Sequence, residues 1–349
     1  MNFDPSAAAQ ADSGLFGLPF TPAQARVVIV PVAFDATTSY GGGASAGPAA
    51  VLEASKQVDL LDQHFGAVYE ARIAMLDIDA KIAALSRKAR AAASPLIARG
   101  GADESSPRDR AAVRLVNEAS ARVEAYTREQ FERVLSAGKI AGLLGGDHAT
   151  PLGAISASAE YVHALSGRDA RARAGLGILH LDAHMDLRDA FEGFEQSHAS
   201  IMFNVLRKCP GVSRLVQIGI RDYCQAEVDV ASAAGERVHV VYDQQVFAAT
   251  QGLNGAPPLG RLVDDAIARL PHFVHVSFDI DALEPSLCPH TGTPVPGGLP
   301  FNLAAYILQR LGESGRRVVS FDLVEVCPSP DPDAPKWDAN VGARVLYKL

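Results

Sequence analysis

The chain has few cysteines and no long apolar run. Of its 349 residues four are cysteine, and no two of these form a C-x-x-C pair. Such spacing argues against a zinc or dithiol redox site, so we expect reduced thiols in a cytoplasmic protein. No uninterrupted apolar run is long enough to span a membrane. The sequence therefore predicts a soluble protein without a membrane partner.

An excess of basic residues is missing as well. Lysine and arginine number 32 against 40 acidic residues, which gives a formal net charge of −8, and both signs are mixed along most of the chain. Surfaces that bind nucleic acid are usually basic, so we expect no nucleic-acid partner. The acidic balance mildly favours substrates that carry positive charge. The segment 1–14 lacks a basic stretch followed by an apolar core, so it is not interpreted as a signal peptide.

The order of apolar and amphipathic segments predicts an α/β fold. Residues 1–25 are expected to form an N-terminal arm, and residues 26–349 show no shift in composition that would mark a second domain. Strand-like and helix-like segments alternate about eight times, which predicts one mostly parallel sheet with helices on both faces. The predicted strands are 26–34, 73–78, 140–144, 176–181, 215–220, 238–242, 273–280 and 317–326.

Helices are expected between most of these strands. The first begins near Gly47, and the stretch 80–136 is helical with a break at 99–107. A long amphipathic helix runs from about Asp109, and its charges are interpreted as a solvated face or part of a subunit contact. The other predicted helices are 151–164, 199–208, 224–233, 259–270 and 301–313.

One stretch is hard to explain by packing. Asp182, His184 and Asp186 are three alternating side chains that directly follow the apolar run 176–181. Burying two carboxylates costs several kcal/mol unless they are paired, hydrogen-bonded or bound to a cation. The stretch therefore predicts a positive charge, such as a metal ion, beside this strand end.

Three other strands end in side chains of the same kinds. His148 follows the third predicted strand, and Glu325 lies near the end of the eighth. Asp279 and Asp281 come at the end of the seventh. Singly, these residues are also explained as loop residues or caps. Ligands of open α/β sheets bind beyond the carboxyl ends of the strands, so together the residues indicate one site.

The number of donors favours two metal ions. Two imidazoles and four carboxylates exceed the roughly three protein ligands of a catalytic zinc. Carboxylates can bridge, and two ions roughly 3.5 to 4 Å apart can hold a hydroxide between them. Oxygen-rich donors with one imidazole per ion suit manganese best, and nickel, cobalt and iron(II) are the alternatives.

Five short motifs carry these residues. They are Gly-Gly-Asp-His at 145–148, Asp-Ala-His-Met-Asp at 182–186, Ser-Phe-Asp-Ile-Asp at 277–281, Thr-Gly-Thr-Pro-Val-Pro-Gly-Gly-Leu at 291–299 and Asp-Leu-Val-Glu-Val at 322–326. In this order they resemble the ureohydrolase family, which contains arginase, agmatinase, guanidino-acid hydrolases and formimidoylglutamase. The pattern is most similar to the agmatinase-like members. The resemblance implies a three-layer arginase-like fold and a homo-oligomer, commonly a trimer or hexamer.

The same resemblance implies that six side chains bind two Mn²⁺ ions, namely His148, Asp182, His184, Asp186, Asp279 and Asp281. His148 and Asp186 would bind the first ion, and His184 and Asp281 the second. The two remaining aspartates would bridge or contact both ions. Asp186 would also act in catalysis, by accepting a hydrogen bond from the bridging hydroxide.

Two further catalytic residues follow from the resemblance and agree with the chemistry. A guanidinium carbon is a poor electrophile, so its hydrolysis near pH 7 needs the strong nucleophile that two cations generate from water. Glu325 would hold the planar guanidinium through two parallel hydrogen bonds. The leaving amine must be protonated, and His198 matches the family's proton-shuttling histidine.

By resemblance, the segment between Asp186 and His198 is the family's specificity loop. Its charged residues indicate two different kinds of substrate. Arg188 would bind a substrate carboxylate, as in formimidoylglutamase-like sequences. Asp189, Glu192 and Glu195 would instead attract an amine such as that of agmatine. Exposed charges or salt bridges explain any one of them at least as well.

Two departures from the family pattern lie near the expected site. His290 stands where relatives usually have a small residue, so it would narrow the pocket mouth, contact the substrate tail or point to solvent. Met185 replaces a common threonine. The retained His198 favours a guanidino substrate whose leaving amine needs a proton, which fits agmatinase or arginase better than formimidoylglutamase.

We therefore expect a binuclear-manganese hydrolase that releases urea and an amine from a small guanidino compound. Formimidoylglutamase, arginase and guanidino-acid hydrolase are the alternatives within the family. A deacetylase of the same broad fold binds one zinc, which would leave the second aspartate of each motif without a role. An inactive metal-binding paralogue would have lost a ligand, His198 or Glu325, and all are present.

Overall fold

A computed structural model describes residues 3–253 and 255–349. In these residues eight parallel strands form one sheet in the order β2-β1-β3-β8-β7-β4-β5-β6. The strands are β1 Val27–Pro31, β2 Ile73–Met75, β3 Ile140–Leu144, β4 Leu176–Leu181, β5 Val212–Ile220, β6 Val238–Tyr242, β7 Phe273–Asp279 and β8 Arg317–Val324. The prediction of an α/β fold with a mostly parallel sheet is confirmed, and the sheet is parallel throughout.

Ten α-helices accompany the sheet in the described ranges. They are α1 Gly47–Ser55, α2 Ala80–Ile97, α3 Pro107–Ser136, α4 Leu152–Leu165, α5 Ile201–Lys208, α6 Gln225–Ala233, α7 Asp243–Gln251, α8 Leu259–Ala268, α9 Phe301–Glu313 and α10 Trp337–Lys348. None of these helices is both long and apolar enough to cross a membrane.

The helices cover both faces of the sheet. Side chains alternate along a strand, so Ile29 of β1 packs into the apolar layer formed with α1, α8, α9 and α10. Val28 and Val30 of the same strand face α2 and α3 on the other side. Further along that side, α4 and α5 cover β4 and β5. Burial on both faces explains why the strands are apolar runs without alternation.

Two helices were missing from the sequence prediction. α7 follows β6 without a loop, and the Gln245 side chain accepts from Tyr242 N across its first turn. α10 follows a segment rich in Pro and Asp, and it is buried largely because it packs against α1. Strand β2 is shorter than expected because, after Met75, the chain turns towards Asp79, which caps α2.

The N-terminal segment also contacts the core. Leu15 and Phe16 are buried, and the Phe16 ring meets the Tyr347 ring of α10 edge to face. The division into an arm of residues 1–25 and one catalytic domain of residues 26–349 stays a prediction.

Candidate metal centre

The chemistry-bearing residues lie at the carboxyl ends of four strands that are neighbours in the sheet. These strands are β3, β8, β7 and β4, in that spatial order. His148 follows β3, Glu325 follows β8, Asp279 ends β7, and Asp182 follows β4. Because all four strands are parallel, their ends meet at one edge. The structure therefore brings together residues that are up to 177 positions apart in the chain.

The backbone at this edge is under local constraint. Asp186 and Glu325 have positive φ angles of 55° and 61°. A left-handed conformation costs a residue with a side chain roughly 1–3 kcal/mol and is concentrated at functional sites. Before His148, a Cβ at Gly146 would lie 1.9 Å from Phe34 O, so only glycine fits there. The backbone at Asp186 and Glu325 thus holds these two side chains in one arrangement at a cost in local stability.

The first group of metal donors surrounds His148. Its Nδ1 lies 3.1 Å from Asp182 Oδ2, 3.0 Å from Asp186 Oδ2 and 3.2 Å from Asp279 Oδ2. All four side chains are buried, and neither His148 Nδ1 nor Asp186 Oδ2 has a hydrogen-bond partner among the described residues. Three carboxylates this close repel one another unless a cation or protons lie among them. This group fits a metal ion.

The pKa shifts show the same accumulation of negative charge. Burial opposes a proton on His148, but its three carboxylate neighbours raise its pKa well above the usual value. Burial, followed by the charge of Asp182, raises the pKa of Asp186 to about 6. Burial and the charges of Asp281 and Asp182 likewise raise the pKa of Asp279. A cation at this place would offset the burial and the repulsion between carboxylates that cause the shifts of Asp186 and Asp279.

A second group adjoins the first and shares Asp182 with it. Asp182 Oδ1 lies 3.4 Å from His184 Nδ1, and Asp281 Oδ2 lies 3.1 Å from the same nitrogen. The ligand atoms of these three residues lie close enough together to hold one ion. Asp279 Oδ1 accepts from Asp281 N at 2.8 Å, which joins the two groups again. All six side chains predicted as metal ligands thus lie together, and their roles stay predictions.

His180, for which no role was predicted, lies among the first group. Its Nε2 is 2.8 Å from Asp182 Oδ2, and its Nδ1 is 2.9 Å from Gln217 Nε2. Gln217 Nε2 also donates to Met185 O, which only accepts, so the amide nitrogen must face both partners. His180 therefore accepts at Nδ1 and donates from Nε2 to Asp182. The signal in the sequence was its position two residues before Asp182, on the same face of the strand.

Glu325 lies directly behind the first group. Its Oε1 accepts from His148 N at 2.9 Å, whereas its Oε2 is buried and has no hydrogen-bond partner among the described residues. Burial, followed by the charges of Asp279 and Asp147, raises the pKa of Glu325 well above its usual value. A buried carboxylate oxygen without a partner is costly, so a cationic group of a ligand would stabilise it.

A cavity of about 200 Å³ opens beside the two groups. The residues that line it are Ser39, His184, Asp186, Arg188, Phe191, His198, Ala199, Asp222, Tyr223, Glu227 and Thr293. His198 is buried, and its Nε2 lies 3.2 Å from Ser39 Oγ. Burial, followed by the charge of His184, lowers the pKa of His198 to about 3. His198 is therefore a neutral imidazole, and its burial and the charge of His184 oppose its protonation.

The specificity loop is held against α3. Phe194 is fully buried in the layer that α2 and α3 form. Glu195 N donates to Asn117 Oδ1 at 3.2 Å, and Gln196 Nε2 donates to Glu124 Oε2 at 2.5 Å. Helix α3, for which the sequence suggested a solvated face or a subunit contact, thus supports this loop.

Only one of the charged candidates in that loop lines the cavity. The Arg188 guanidinium lies 4.7 Å from the centre of the Phe191 ring, and its Nε is 3.8 Å from Glu227 Oε2. Asp189 and Glu192 lie outside the cavity lining. Asp189 is exposed and 3.5 Å from Arg207.

His290 also lies outside the cavity lining. Its Nδ1 is 2.8 Å from Asp338 Oδ2, and its backbone N donates to Asp338 Oδ1 at 3.0 Å. These contacts fasten the loop after β7 to helix α10. The expected contact with a substrate tail has no support in this geometry.

Three residues of the cavity wall were missed. Asp222, Tyr223 and Glu227 come after β5, and Asp222 pairs through its backbone with His184. β5 neighbours β4 in the sheet. The strand-end rule that identified the metal donors would have identified these residues too, had it been applied to the fifth strand.

A fully parallel α/β sheet with buried imidazoles and carboxylates at its carboxyl edge is typical of a metal-dependent hydrolase. The model of the Arginase family matches residues 25–349, so the chain belongs to the arginase family. This confirms the resemblance to the ureohydrolases and the hydrolase class that it implies.

Individual relatives agree with the family model. An N(1)-aminopropylagmatine ureohydrolase of Thermus thermophilus is 32% identical over 322 residues, which cover 90% of this chain and 87% of the relative. The agmatine ureohydrolase of Thermoplasma volcanium superposes with a TM-score of 0.69 at 19% identity, over 97% of this chain and 93% of that one. For the proclavaminate amidino hydrolase from Streptomyces clavuligerus the TM-score is 0.68 at 22% identity, over 99% of this chain and 97% of that one. These structures confirm the arginase-like fold.

Proposed function

We propose that the chain is a binuclear-manganese ureohydrolase that cleaves a guanidino C–N bond and releases urea and an amine. The observation that carries this proposal is Asp182, shared by two groups of metal donors, beside the unpartnered Oε2 of Glu325. The first group would hold one ion and the second the other. When bound, the ions supply a nucleophile at neutral pH by lowering the pKa of water.

The remaining steps belong to side chains of the chain itself. Glu325 does not line the cavity of about 200 Å³, but its Oε2 has no donor among the described residues, so it would accept from the N–H of a guanidinium that enters beyond that lining. His198 lines the same cavity and has Ser39 Oγ 3.2 Å from its Nε2, so we assign to it the delivery of a proton to the departing amine. These are the roles that the family resemblance implies for the two residues.

The charges of the cavity wall favour a substrate with a cationic tail. Arg188 is balanced by Glu227, which lies 3.8 Å away. Asp222 is exposed, and its carboxylate forms no ion pair with a described residue. An ammonium group at the far end of an agmatine-like substrate would find its partner there. The names of two relatives, an N(1)-aminopropylagmatine ureohydrolase and an agmatine ureohydrolase, support such a substrate.

A second candidate follows from Arg188 on the same wall. If a ligand displaced Glu227, the guanidinium would bind a carboxylate tail, as in 4-guanidinobutyrate or formimidoylglutamate. Activity on these acids, with no activity on agmatine, would identify this alternative.

The proposal is tested by metal content and by product. After manganese loading, metal analysis should find about two ions per chain, because the donors form two groups. Incubation with agmatine, arginine, 4-guanidinobutyrate and guanidine should release urea, most of it from agmatine, whereas formimidoylglutamate, which has no guanidino carbon, should release none. A single bound zinc would contradict the metal centre, and formamide in place of urea would identify a formimidoylglutamase. Light scattering tests the expected homo-oligomer.

Substitution of Asp222 by Asn should raise KM for agmatine about 5- to 10-fold and leave kcat within about twofold, because an ion pair at a partly exposed wall contributes about 1 kcal/mol. The manganese content should stay at two ions. Asp229→Asn, an equal loss of charge at an exposed position of α6 outside the cavity, serves as the control. Equal effects of both variants would show that the overall field, and not contact at Asp222, determines KM.

A further inference from the structure

A continuous chain of buried hydrogen bonds runs from His148 into the interior of the sheet. His148 Nε2 lies 3.0 Å from Ser277 Oγ, which donates to Asp322 Oδ1 at 2.9 Å. Asp322 Oδ2 is 2.7 Å from His275 Nε2. The chain continues from His275 Nδ1 to Ser320 Oγ at 2.8 Å. All of these side chains are at most 1% exposed, so these hydrogen bonds are shielded from solvent.

The far end of this chain fixes its direction. Ser158 Oγ donates to Ala154 O at 2.8 Å, and a carbonyl oxygen can only accept. The single proton of Ser158 is thereby used, so its oxygen accepts from Ser320 Oγ at 2.7 Å. Ser320 has then used its own proton, so His275 Nδ1 must be the donor to it. His275 therefore carries a proton on Nδ1.

The same count of protons determines which atom donates between Ser277 and His148. His275 Nε2 and Asp322 Oδ2 share one proton between them, which leaves Asp322 Oδ1 as an acceptor. Ser277 gives its proton to that oxygen, so its own oxygen accepts from His148 Nε2–H. Whichever partner of the His275 and Asp322 pair holds the shared proton, the result at His148 is the same.

We propose that Asp322, acting through Ser277, fixes the ring orientation and the tautomer of His148, so that its Nδ1 presents a bare lone pair to the first metal ion. Asp322 and Ser277 are therefore positioning residues, since they act through His148. The inference rests on the proposed metal centre and deepens it. The nitrogen presented in this way is the one that lies 3.0 to 3.2 Å from the carboxylate oxygens of Asp182, Asp186 and Asp279.

The main test is the variant Ser277→Ala. It removes the acceptor for His148 Nε2–H, and the loss of such a partner typically costs 10–100-fold in metal affinity. Equilibrium dialysis of the manganese-loaded enzyme against a series of free Mn²⁺ concentrations, read by metal analysis and by the electron paramagnetic resonance of free Mn²⁺, measures both ions. We expect the affinity for the first Mn²⁺ ion to fall 10–100-fold and the affinity for the second to stay within about threefold of the wild-type value.

Ser55→Ala is the matched control. Ser55 is fully buried in α1 and makes two hydrogen bonds, accepting from Phe16 N and donating to Leu52 O, far from the metal donors. We expect it to lower the melting temperature and to leave both manganese affinities unchanged. Equal loss of manganese in the two variants, or equal weakening of both ions in Ser277→Ala, would overturn the inference, because either result indicates general destabilisation.

Asp322 itself is tested by a pair of substitutions. In Asp322→Asn the amide oxygen can accept from Ser277 and the amide NH₂ can donate to His275 Nε2. Ser277 therefore still accepts from His148 Nε2–H, and both ions should stay bound. Asp322→Leu has no acceptor and should weaken the first ion as Ser277→Ala does. If Asp322→Leu does not fold, Ser277→Ala decides. A loss of manganese in Asp322→Asn would overturn the inference.

The wild type separates this inference from the proposed function. A wild-type enzyme without two manganese ions contradicts the proposed metal centre. Two ions in the wild type, together with an unchanged first ion in Ser277→Ala, would overturn only the role of the buried chain.

Discussion

Replacement of Asp182 by Asn is expected to lower urea release at least about 10³-fold at saturating manganese, with fewer than two ions retained per chain. The reason lies in its hydrogen bonds. Asp182 Oδ1 accepts from His184 N at 2.6 Å, and Oδ2 accepts from His180 Nε2 at 2.8 Å. A carboxamide has one oxygen, so in either orientation its NH₂ group faces a donor. The variant therefore loses the shared charge and also disturbs the geometry of both groups.

The control for this loss is a buried aspartate elsewhere. Asp62 Oδ1 accepts from His64 N and Phe65 N, and its other oxygen pairs with Lys348. Asp62→Asn should lower the melting temperature yet keep two manganese ions and near-normal turnover. Near-normal turnover of Asp182→Asn itself, measured as urea release with metal content determined on the same sample, would refute the shared-ligand assignment. Asp279→Asn is expected to behave like Asp182→Asn, because Asp279 also joins the two groups.

The second large effect is expected at Glu325. In Glu325→Gln the amide oxygen can still accept from His148 N, which places the amide NH₂ where the unpartnered Oε2 was. A donor then faces the N–H groups of the guanidinium, and the negative charge is lost. Loss of one partner of a buried charge pair costs about 2–5 kcal/mol, so kcat/KM should fall roughly 30- to 5,000-fold.

Metal content distinguishes Glu325 from the metal ligands. Because Glu325 belongs to neither group of metal donors, the Gln variant should retain two manganese ions, in contrast to Asp182→Asn. Steady-state kinetics with agmatine and metal analysis of the same preparation provide the test. A variant that loses manganese would make Glu325 part of the metal centre, and one that keeps full kcat/KM would remove it from substrate binding.

Some parts of the site were visible in the sequence because they break the pattern of a buried strand. Asp182, His184 and Asp186 follow a six-residue strand that is apolar except for His180, and no packing argument accounts for them. The same rule identified Asp279, which ends an apolar run, and His148, which comes four residues after Leu144 at the end of another. A charged residue that is buried at a strand end needs a partner, and this need can be recognised without knowledge of the sheet order.

Other parts depended on contacts that a local pattern does not contain. Asp222 lines the cavity only because β5 lies beside β4, and His290 leaves it because Asp338 of α10 holds its ring. Asp189 and Glu192 have the charges expected of a specificity loop, yet neither lines the cavity, and Phe194 of the same loop is buried against α2 and α3. In each case a distant segment decides where the side chain points.

The sequence by itself determined the α/β class, the family resemblance and the six candidate metal donors, because apolar runs and the polar residues that end them are properties of neighbouring positions. Only the tertiary structure decided the strand order β3-β8-β7-β4, the sharing of Asp182 between two groups, and the hydrogen-bond chain behind His148. The physical reason is that these features arise from packing between segments far apart in the chain. Directional hydrogen bonds can be assigned only when donor and acceptor lie at hydrogen-bonding distance, about 2.5 to 3.2 Å.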